Sequence, residues 1–311
     1  MSIRYQVQEQ GENVYFQTVA DLVSTTDGDL QSDLDNIKQI LPNKNLLINS
    51  NFLSPVNQRG FTTYANNQYT IDRWYYTNGT ITNFTILEGE GVSFTGDLVQ
   101  YIEIDNSIIG KPVSLSAYTN NFGVVLAWEN IIVSTELQEN TNFGLQYNET
   151  LQALMFVLHS DNTTFQAVKL ELCTHVTDYV PEKVSTEVVN CLRYYYKVQQ
   201  NNDDCNYVFG VANSNELVYF PYKFPVYMRI VPTFSWGGNF RCYGGGATIP
   251  SFNLKKLEYS PAAPPQLMYN GVMTVTLMGT RLDFSQITGQ IYSLNGGNAN
   301  SYIAFDAEYY V

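Results

Sequence analysis

The chain has 311 residues, of which 29 are acidic and 16 are basic, so its formal net charge at pH 7 is -13. This length allows two domains of ordinary size, each with its own hydrophobic core. The negative charge repels a polyanionic backbone, which excludes nucleic acid from the expected partners. Only 14% of the residues are charged, whereas Tyr (24) and Phe (17) are plentiful, and this mixture favours β-structure with loops of neutral polar residues.

Residues 1–44 predict an attachment segment that ends in a short helix. Apolar residues alternate with polar ones at the start, and a second β-prone run follows at 14–19, so we expect a hairpin around Gly11. Four apolar residues then recur at the spacing of a coiled-coil seam. These residues are Leu30, Leu34, Ile37 and Leu41. A helix this short is marginal alone, so it either joins several chains or packs on its own domain.

The start of the chain lacks the apolar stretch of a secretory signal, and no run of about 18 apolar residues could span a bilayer. We therefore expect no membrane insertion. The four cysteines, Cys173, Cys191, Cys205 and Cys242, are scattered without a C-x-x-C pair. This spacing favours buried free thiols over a zinc or redox site, and neither a metal nor a cofactor is predicted.

Two β-rich regions follow the helix, so the predicted fold class is mainly β. From residue 45 to residue 181, about ten short β-prone runs alternate with turn sequences, which predicts a jelly-roll-like β-sandwich of the kind common among carbohydrate-binding modules. Residues 181–187 are predicted to be a linker. Residues 188–311 predict a second, C-terminal β domain, in which 237–265 is rich in Gly and Pro and is expected to form long exposed loops.

Two polar and aromatic clusters in these regions predict packing. Asp72 and Arg73 can form a buried ion pair roofed by Trp74, because a guanidinium both pairs with a carboxylate and stacks on aromatic rings. Trp74 begins an apolar run, which favours core packing over the alternative of sugar binding. The run of residues 193–196, Arg-Tyr-Tyr-Tyr, is expected to pack between domains or between chains.

Motifs of catalysis are missing from the sequence. It holds no nucleophile elbow, P-loop or H-E-x-x-H, and its two histidines, His159 and His175, have no metal or triad spacing. Hydrolysis of a glycosidic bond would need two converging carboxylates, but pairs such as Glu88 and Glu90 are typical of solvated turns. The chain is therefore not expected to be an enzyme.

Several short elements occur in a fixed order along residues 45–308. They are Asn-Leu-Leu-Ile-Asn at 45–49, Asn-Phe at 51–52, Gln-Arg-Gly at 58–60, Tyr-Thr-Ile-Asp-Arg-Trp at 69–74, Lys-Leu-Glu-Leu at 169–172, Thr177, Cys-Leu-Arg-Tyr-Tyr at 191–195, the segment 224–232 and Asp-Ala-Glu at 306–308. In this order they resemble the fibre and tail-fibre proteins of bacteriophage virions. One departure is that Cys173 stands where that family usually has a glycine.

The resemblance implies a virion appendage, on tail or head, that is assembled in the host cytoplasm and attaches the particle to a host cell. It implies a homotrimer joined through the short helix, contact with other virion proteins through the N-terminal segment, and binding to bacterial cell-surface polysaccharide. Two alternatives stay open. One is a structural connector or collar component without glycan binding, and the other is a carbohydrate-binding accessory module.

If the protein binds a sugar, an aromatic platform flanked by amides and charged groups is the expected means, because a pyranose has an apolar face and a ring of hydroxyls. Two loops hold such residues. The candidate glycan contacts are Tyr64, Asn66, Asn67 and Tyr69 in the first loop, and Trp236, Asn239, Arg241 and Tyr243 in the second. Trimerisation would strengthen weak single sites through avidity.

Overall fold

The computed structural model of the protein describes residues 5–9, 12–16, 42–79, 84–119, 124–199, 206–214, 217–237, 240–244, 247–252, 257–261, 272–278, 291–296 and 301–309. The predicted coiled-coil positions Leu30, Leu34, Ile37 and Leu41 lie outside these residues, as does the candidate glycan contact Asn239. The helical seam and the trimer therefore stay predictions.

The described structure is mainly β, and the strands of its sheets pair antiparallel. In chain order the strands are β1 (Tyr5–Glu9), β2 (Glu12–Phe16), β3 (Thr63–Tyr64), β4 (Gln68–Tyr69), β5 (Tyr75–Thr77), β6 (Phe84–Leu87), β7 (Gly91–Glu103), β8 (Pro112–Thr119), β9 (Val124–Ile132), β10 (Gln138–Glu139), β11 (Phe143–Asn148), β12 (Ala153–Glu171), β13 (Tyr195–Gln199), β14 (Asn206–Ser214), β15 (Leu217–Lys223), β16 (Thr233–Gly237), β17 (Phe240–Gly244), β18 (Ala247–Phe252), β19 (Leu257–Pro261), β20 (Val272–Met278), β21 (Ile291–Gly296) and β22 (Tyr302–Asp306). The predicted N-terminal hairpin is confirmed, because β1 pairs with β2 from Tyr5 opposite Phe16 to Glu9 opposite Glu12.

Strands β3 to β12 form a ten-stranded sheet around one apolar core, which we call the first β region. Its longest strand, β12, pairs with β7 along its first part and with β8 along its last part. The β-prone runs at residues 153–159 and 164–173 predict two separate strands here, divided by a turn at Asp161. That prediction was wrong, because the turn residues form a bulge between Asp161 and Thr163 and the strand continues.

Aromatic side chains fill this core edge to face. Trp74 is fully buried, with its ring 5.2 Å from Phe52 and 6.0 Å from Phe156, and its indole N–H donates to the carbonyl of Asn49 at 2.8 Å. The prediction of core packing for Trp74 is confirmed. Because a buried indole needs a partner for its N–H, the Asn49 carbonyl explains why the ring is stable inside the core.

Two smaller sheets form the second β region. Strand β22 is the centre of a three-stranded sheet in the order β13-β22-β16, and the other sheet has the order β18-β17-β21-β14-β15-β20-β19. Strands β17, β18 and β19 occupy the segment predicted to be long loops, so that prediction was wrong there. Only two residues, Gly245 and Gly246, separate β17 from β18, and this is the spacing of a tight hairpin turn.

A helix, α1 (Val184–Leu192), joins the two regions. The sequence predicted a linker at 181–187 and a strand at 191–198, so no helix was expected here. The helical spacing of Glu187 and Cys191 explains the difference, since both side chains are buried and lie on one helix face. The Glu187 carboxylate accepts a 2.8 Å hydrogen bond from the backbone N–H of Asn49. Cys191 is a buried free thiol, as predicted, whereas Cys173 is a free thiol that is only half-buried. Cys205 lies outside the described residues.

Candidate ligand-binding cleft

The two β regions meet through a layer of buried charged side chains. The first of these side chains is Arg73. The guanidinium pairs with the carboxylate of Glu308, and the Arg73 backbone N–H donates to the same carboxylate at 3.1 Å. The ring of Tyr194 lies 3.4 Å below the guanidinium carbon. The predicted pair of Asp72 with Arg73 under Trp74 was wrong. Arg73 has a left-handed φ of +77°, which turns the chain there, and the two neighbours take different partners.

Asp72 is the second buried charge of this layer. It accepts hydrogen bonds from Gln58, at 3.1 Å from the backbone N–H and 2.6 Å from the side-chain amide. Its ion pair is with Arg59, whose Nη1 lies 3.4 Å from Oδ1. Burial raises the pKa of Asp72 to about 7, and Arg59 and the Gln58 hydrogen bonds oppose that rise.

Arg59 connects this layer to the second β region. Its Nη2 lies 3.2 Å from the carboxylate of Asp306. Its guanidinium carbon lies 3.9 Å from the ring centre of Tyr195 and 5.0 Å from that of Tyr69. Burial lowers the pKa of Arg59, but the nearby carboxylates, Glu308 first, outweigh it and raise the pKa. The side chain is therefore a fixed cation held by both regions.

The segment 224–232, in the second β region, contacts this layer through Arg229. The β-prone run at residues 226–230 predicts a strand, but that prediction was wrong, because this segment is irregular in the structure. The guanidinium of Arg229 donates to the carbonyls of Ala307 and Glu308, each at 2.7 Å. Two residues of the run 193–196, which was predicted to pack between domains or between chains, contact the first β region: Tyr194 lies against Arg73 and Tyr195 against Arg59. Of the ordered sequence elements, those at 58–60, 69–74, 191–195, 224–232 and 306–308 therefore meet at this contact.

A cleft of about 540 Å³ opens directly above Arg59. Among the described residues, it is lined by Arg59, Phe61, Thr63, Tyr64, Gln68, Tyr69, Tyr195, Lys197, Ser235, Tyr302 and Asp306. Five of these side chains are aromatic, and both β regions contribute. A concave site with aromatic walls and a few polar groups is the usual form of a small-ligand site.

One wall of the cleft is a face of the three-stranded sheet. Because side chains alternate along a strand, Tyr195 and Lys197 share a face on β13. Register places Tyr195 opposite Asp306 and places Gly237 opposite Tyr302. A Cβ atom at Gly237 would lie 2.5 Å from the Tyr302 ring, so glycine leaves the space that this ring occupies. Burial, and then repulsion by Arg59, lowers the pKa of Lys197.

The opposite wall is the loop that precedes β3. Phe61 is 64% exposed at its rim, and its ring is perpendicular to that of Tyr64, with 5.9 Å between ring centres. The Asn57 side chain holds the loop by three hydrogen bonds. It donates to the Phe61 carbonyl at 2.7 Å and accepts from the Gly60 N–H at 3.0 Å and the Tyr64 hydroxyl at 2.6 Å.

The structure brings two of the predicted glycan contacts into the cleft, Tyr64 and Tyr69. Tyr64 is buried and Tyr69 is half-buried. Asn66 and Asn67 do not line the cleft, because their side-chain oxygens accept hydrogen bonds from the Gly79 N–H at 3.1 Å and the Thr77 hydroxyl at 2.9 Å. They join the segment before β4 to the end of β5. Trp236 is on β16 next to the cleft residue Ser235, and Arg241 and Tyr243 are on β17.

Sequence reasoning named two of the eleven described residues that line the cleft and missed the other nine. Five of the missed residues carry a charge, an exposed ring or a position on the sheet wall. They are Arg59, Phe61, Lys197, Tyr302 and Asp306. The available signal was the Gln-Arg-Gly element at 58–60 together with Asp306, since both belong to the ordered elements of the resemblance. Nothing in the sequence placed them side by side, because Arg59 and Asp306 are 247 positions apart.

A larger groove of about 790 Å³ runs beside α1. Among the described residues, Tyr194 is the one aromatic residue that lines it, and its ring is covered by Arg73. A smaller cavity holds the pair of His159 and Asp97, with 2.7 Å between Nδ1 and Oδ1. No group of three or more metal-ligating side chains occurs within the described ranges. No helix among these residues is long and apolar enough to cross a membrane.

Comparison of the chain with protein-family models, with curated proteins and with solved structures finds no match.

Proposed function

We propose that the protein is a bacteriophage virion appendage, on the tail or the head, that attaches the particle to polysaccharide on the bacterial surface. In this proposal the first β region is a jelly-roll-like sandwich that acts as a carbohydrate-binding module. Residues 1–44 dock to other virion proteins and join three chains. The protein acts by binding and does not turn over its ligand.

The observation that carries the proposal is the aromatic cleft between the two β regions. Saccharides bind where aromatic faces cover the apolar side of the sugar and fixed polar groups meet its hydroxyls. The cleft offers Tyr69 and Tyr302 as aromatic side chains and Gln68 and Asp306 as polar groups. Its walls are held by the ion pairs of Arg59 and by the hydrogen bonds of Asn57, so little conformational entropy is lost on binding.

The order of the sequence elements supports the virion context. Those elements supply the buried contacts of Arg59, Arg73 and Glu308, so they maintain the relative position of the two β regions. A fixed arrangement of two β regions suits an appendage that must present a binding surface on a particle.

The test uses the purified full-length chain and intact cells of candidate host bacteria. Sedimentation with the cells, and competition of the free protein with phage adsorption, should both be observed. Light scattering should give three times the chain mass of 35.2 kDa. Cells whose surface polysaccharide has been altered by mild periodate, which cleaves the vicinal diols of its sugars, are the control and should not bind. A trimer that binds no cells would overturn the attachment role in favour of a structural connector.

A further inference from the structure

We propose that Phe61 is the stacking platform of the cleft and that the cleft takes a neutral saccharide, whose hydroxyls meet Gln68, Lys197 and Asp306. This inference rests on the proposed function, because it specifies the ligand class and the residue on which the ligand stacks. It adds an element that the sequence did not indicate, since Phe61 belongs to none of the elements that carry the resemblance.

The first support is the position of the Phe61 ring. The side chain is 64% exposed, although its apolar surface would be more stable away from water. The ring is perpendicular to that of Tyr64. In a perpendicular pair, one ring meets the other edge to face, so Tyr64 covers at most one face of Phe61. The other face is open to a ligand at the rim of the cleft.

The second support is that the loop carrying Phe61 is fixed before any ligand binds. Asn57 bonds to the loop at three places, including the carbonyl of Phe61 itself at 2.7 Å. Gly60 has a left-handed φ of +83°, which glycine adopts without strain. A platform held in this way loses little entropy on binding, and this favours affinity from a small contact area.

The third support is the charge balance around the cleft. Arg59 pairs with Asp72 and with Asp306, and the Lys197 ammonium donates to the Arg59 carbonyl at 3.1 Å. Both cations of the cleft therefore already have partners. An anionic sugar would have to compete with these contacts and would lie close to the Asp306 carboxylate, whereas the hydroxyls of a neutral sugar can donate to Asp306 and accept from Lys197.

The test measures binding of the full-length protein by titration calorimetry to a panel of soluble polysaccharides. The panel holds neutral glucans, mannans and galactans together with the anionic polygalacturonate and teichoic acid. Phe61→Ala should weaken binding to the recognised neutral polymer about tenfold, which corresponds to a loss of about 1.4 kcal/mol. Phe61→Tyr should retain it, because the ring remains.

Tyr227→Ala is the matched control, since Tyr227 is an aromatic residue 51% exposed outside the cleft, and its affinity should equal that of the wild type. Circular dichroism confirms that each variant is folded. Wild-type binding that Phe61→Ala leaves unchanged would overturn this inference and leave the proposed function standing. Binding only to the anionic polymers would also overturn it. A wild type that binds neither the panel nor host cells would overturn the proposed function as well.

Discussion

The core of the first β region and the layer between the two β regions are both buried, yet they are built from opposite chemistry. The core is aromatic and aliphatic, with Phe84 and Phe94 fully buried. The layer holds Arg73, Glu308 and Asp72, each no more than 1% exposed. Burial of apolar surface stabilises the fold but does not require a particular orientation of the side chains. Ion pairs and hydrogen bonds do require a defined geometry. We infer that the core supplies stability and that the layer sets the relative position of the cleft walls.

The largest expected effect comes from removing one charge of the layer. Glu308→Ala leaves the guanidinium of Arg73 buried without its carboxylate, and breaking such a pair costs about 4 kcal/mol of unfolding free energy. Urea denaturation measures this loss. The matched control replaces both charges, as Arg73→Met with Glu308→Leu, and should be more stable than the single variant. A single variant as stable as the wild type would contradict the assigned role of the pair.

A somewhat smaller effect is expected in the core. Leu115 is fully buried on β8, so Leu115→Ala should lower the unfolding free energy by about 3 kcal/mol through lost burial and a cavity. Leu137→Ala is the control, because Leu137 is 47% exposed and its loss should stay within about 0.5 kcal/mol. Polysaccharide affinity of the folded Leu115→Ala protein should match the wild type. Reduced affinity would show that the core also shapes the cleft.

The smallest expected effect is a change of the unfolding free energy with pH, caused by Asp72 in the layer between the two β regions. The pKa of Asp72 is about 7 in the folded chain and about 4 in an unfolded one. The folded state therefore binds more protons between these values, and the unfolding free energy falls as the pH rises through that window. From pH 5 to pH 6.5 the fall should be about 1 to 2 kcal/mol, since one titrating proton contributes at most about 1.4 kcal/mol per pH unit.

Asp72→Asn should flatten this dependence, and denaturation curves at several pH values measure it. His159 changes the unfolding free energy with pH in the same direction, because its hydrogen bond to Asp97 raises its pKa. Its stabilising contribution is present below about pH 6.5 and is lost as the pH rises through the pKa of the folded state. If the unfolding free energy of Asp72→Asn still falls with pH below 6.5 as steeply as that of the wild type, another group causes the effect.

The mainly β structure could be predicted from the sequence, and so could the burial of Trp74, because both follow from local patterns of apolar and β-prone residues. The helix α1 could not, since its valines favour strands locally and burial of Glu187 and Cys191 is decided by contacts with distant residues. Tertiary contacts override local propensity in such segments.

The cleft was harder to predict than the fold for a related reason. Asp72 and Arg73 are adjacent in sequence, so a pair between them was the simplest expectation. The actual partner of Arg73 is Glu308, 235 positions away. Phe61 gave no signal, because an exposed phenylalanine in a loop has the same sequence signature whether or not it faces a cleft.

The central place of β22 in its sheet has a consequence for the order in which the protein matures. Strand β22 pairs with both β13 and β16. Each pairing joins residues that are far apart in the sequence, so a long stretch of chain must be brought together first, and this slows folding. On the ribosome, the first β region can assemble its core while residues 302–309 are still to be translated. The cleft exists only after they arrive, so ligand affinity reports on chains that have completed both regions.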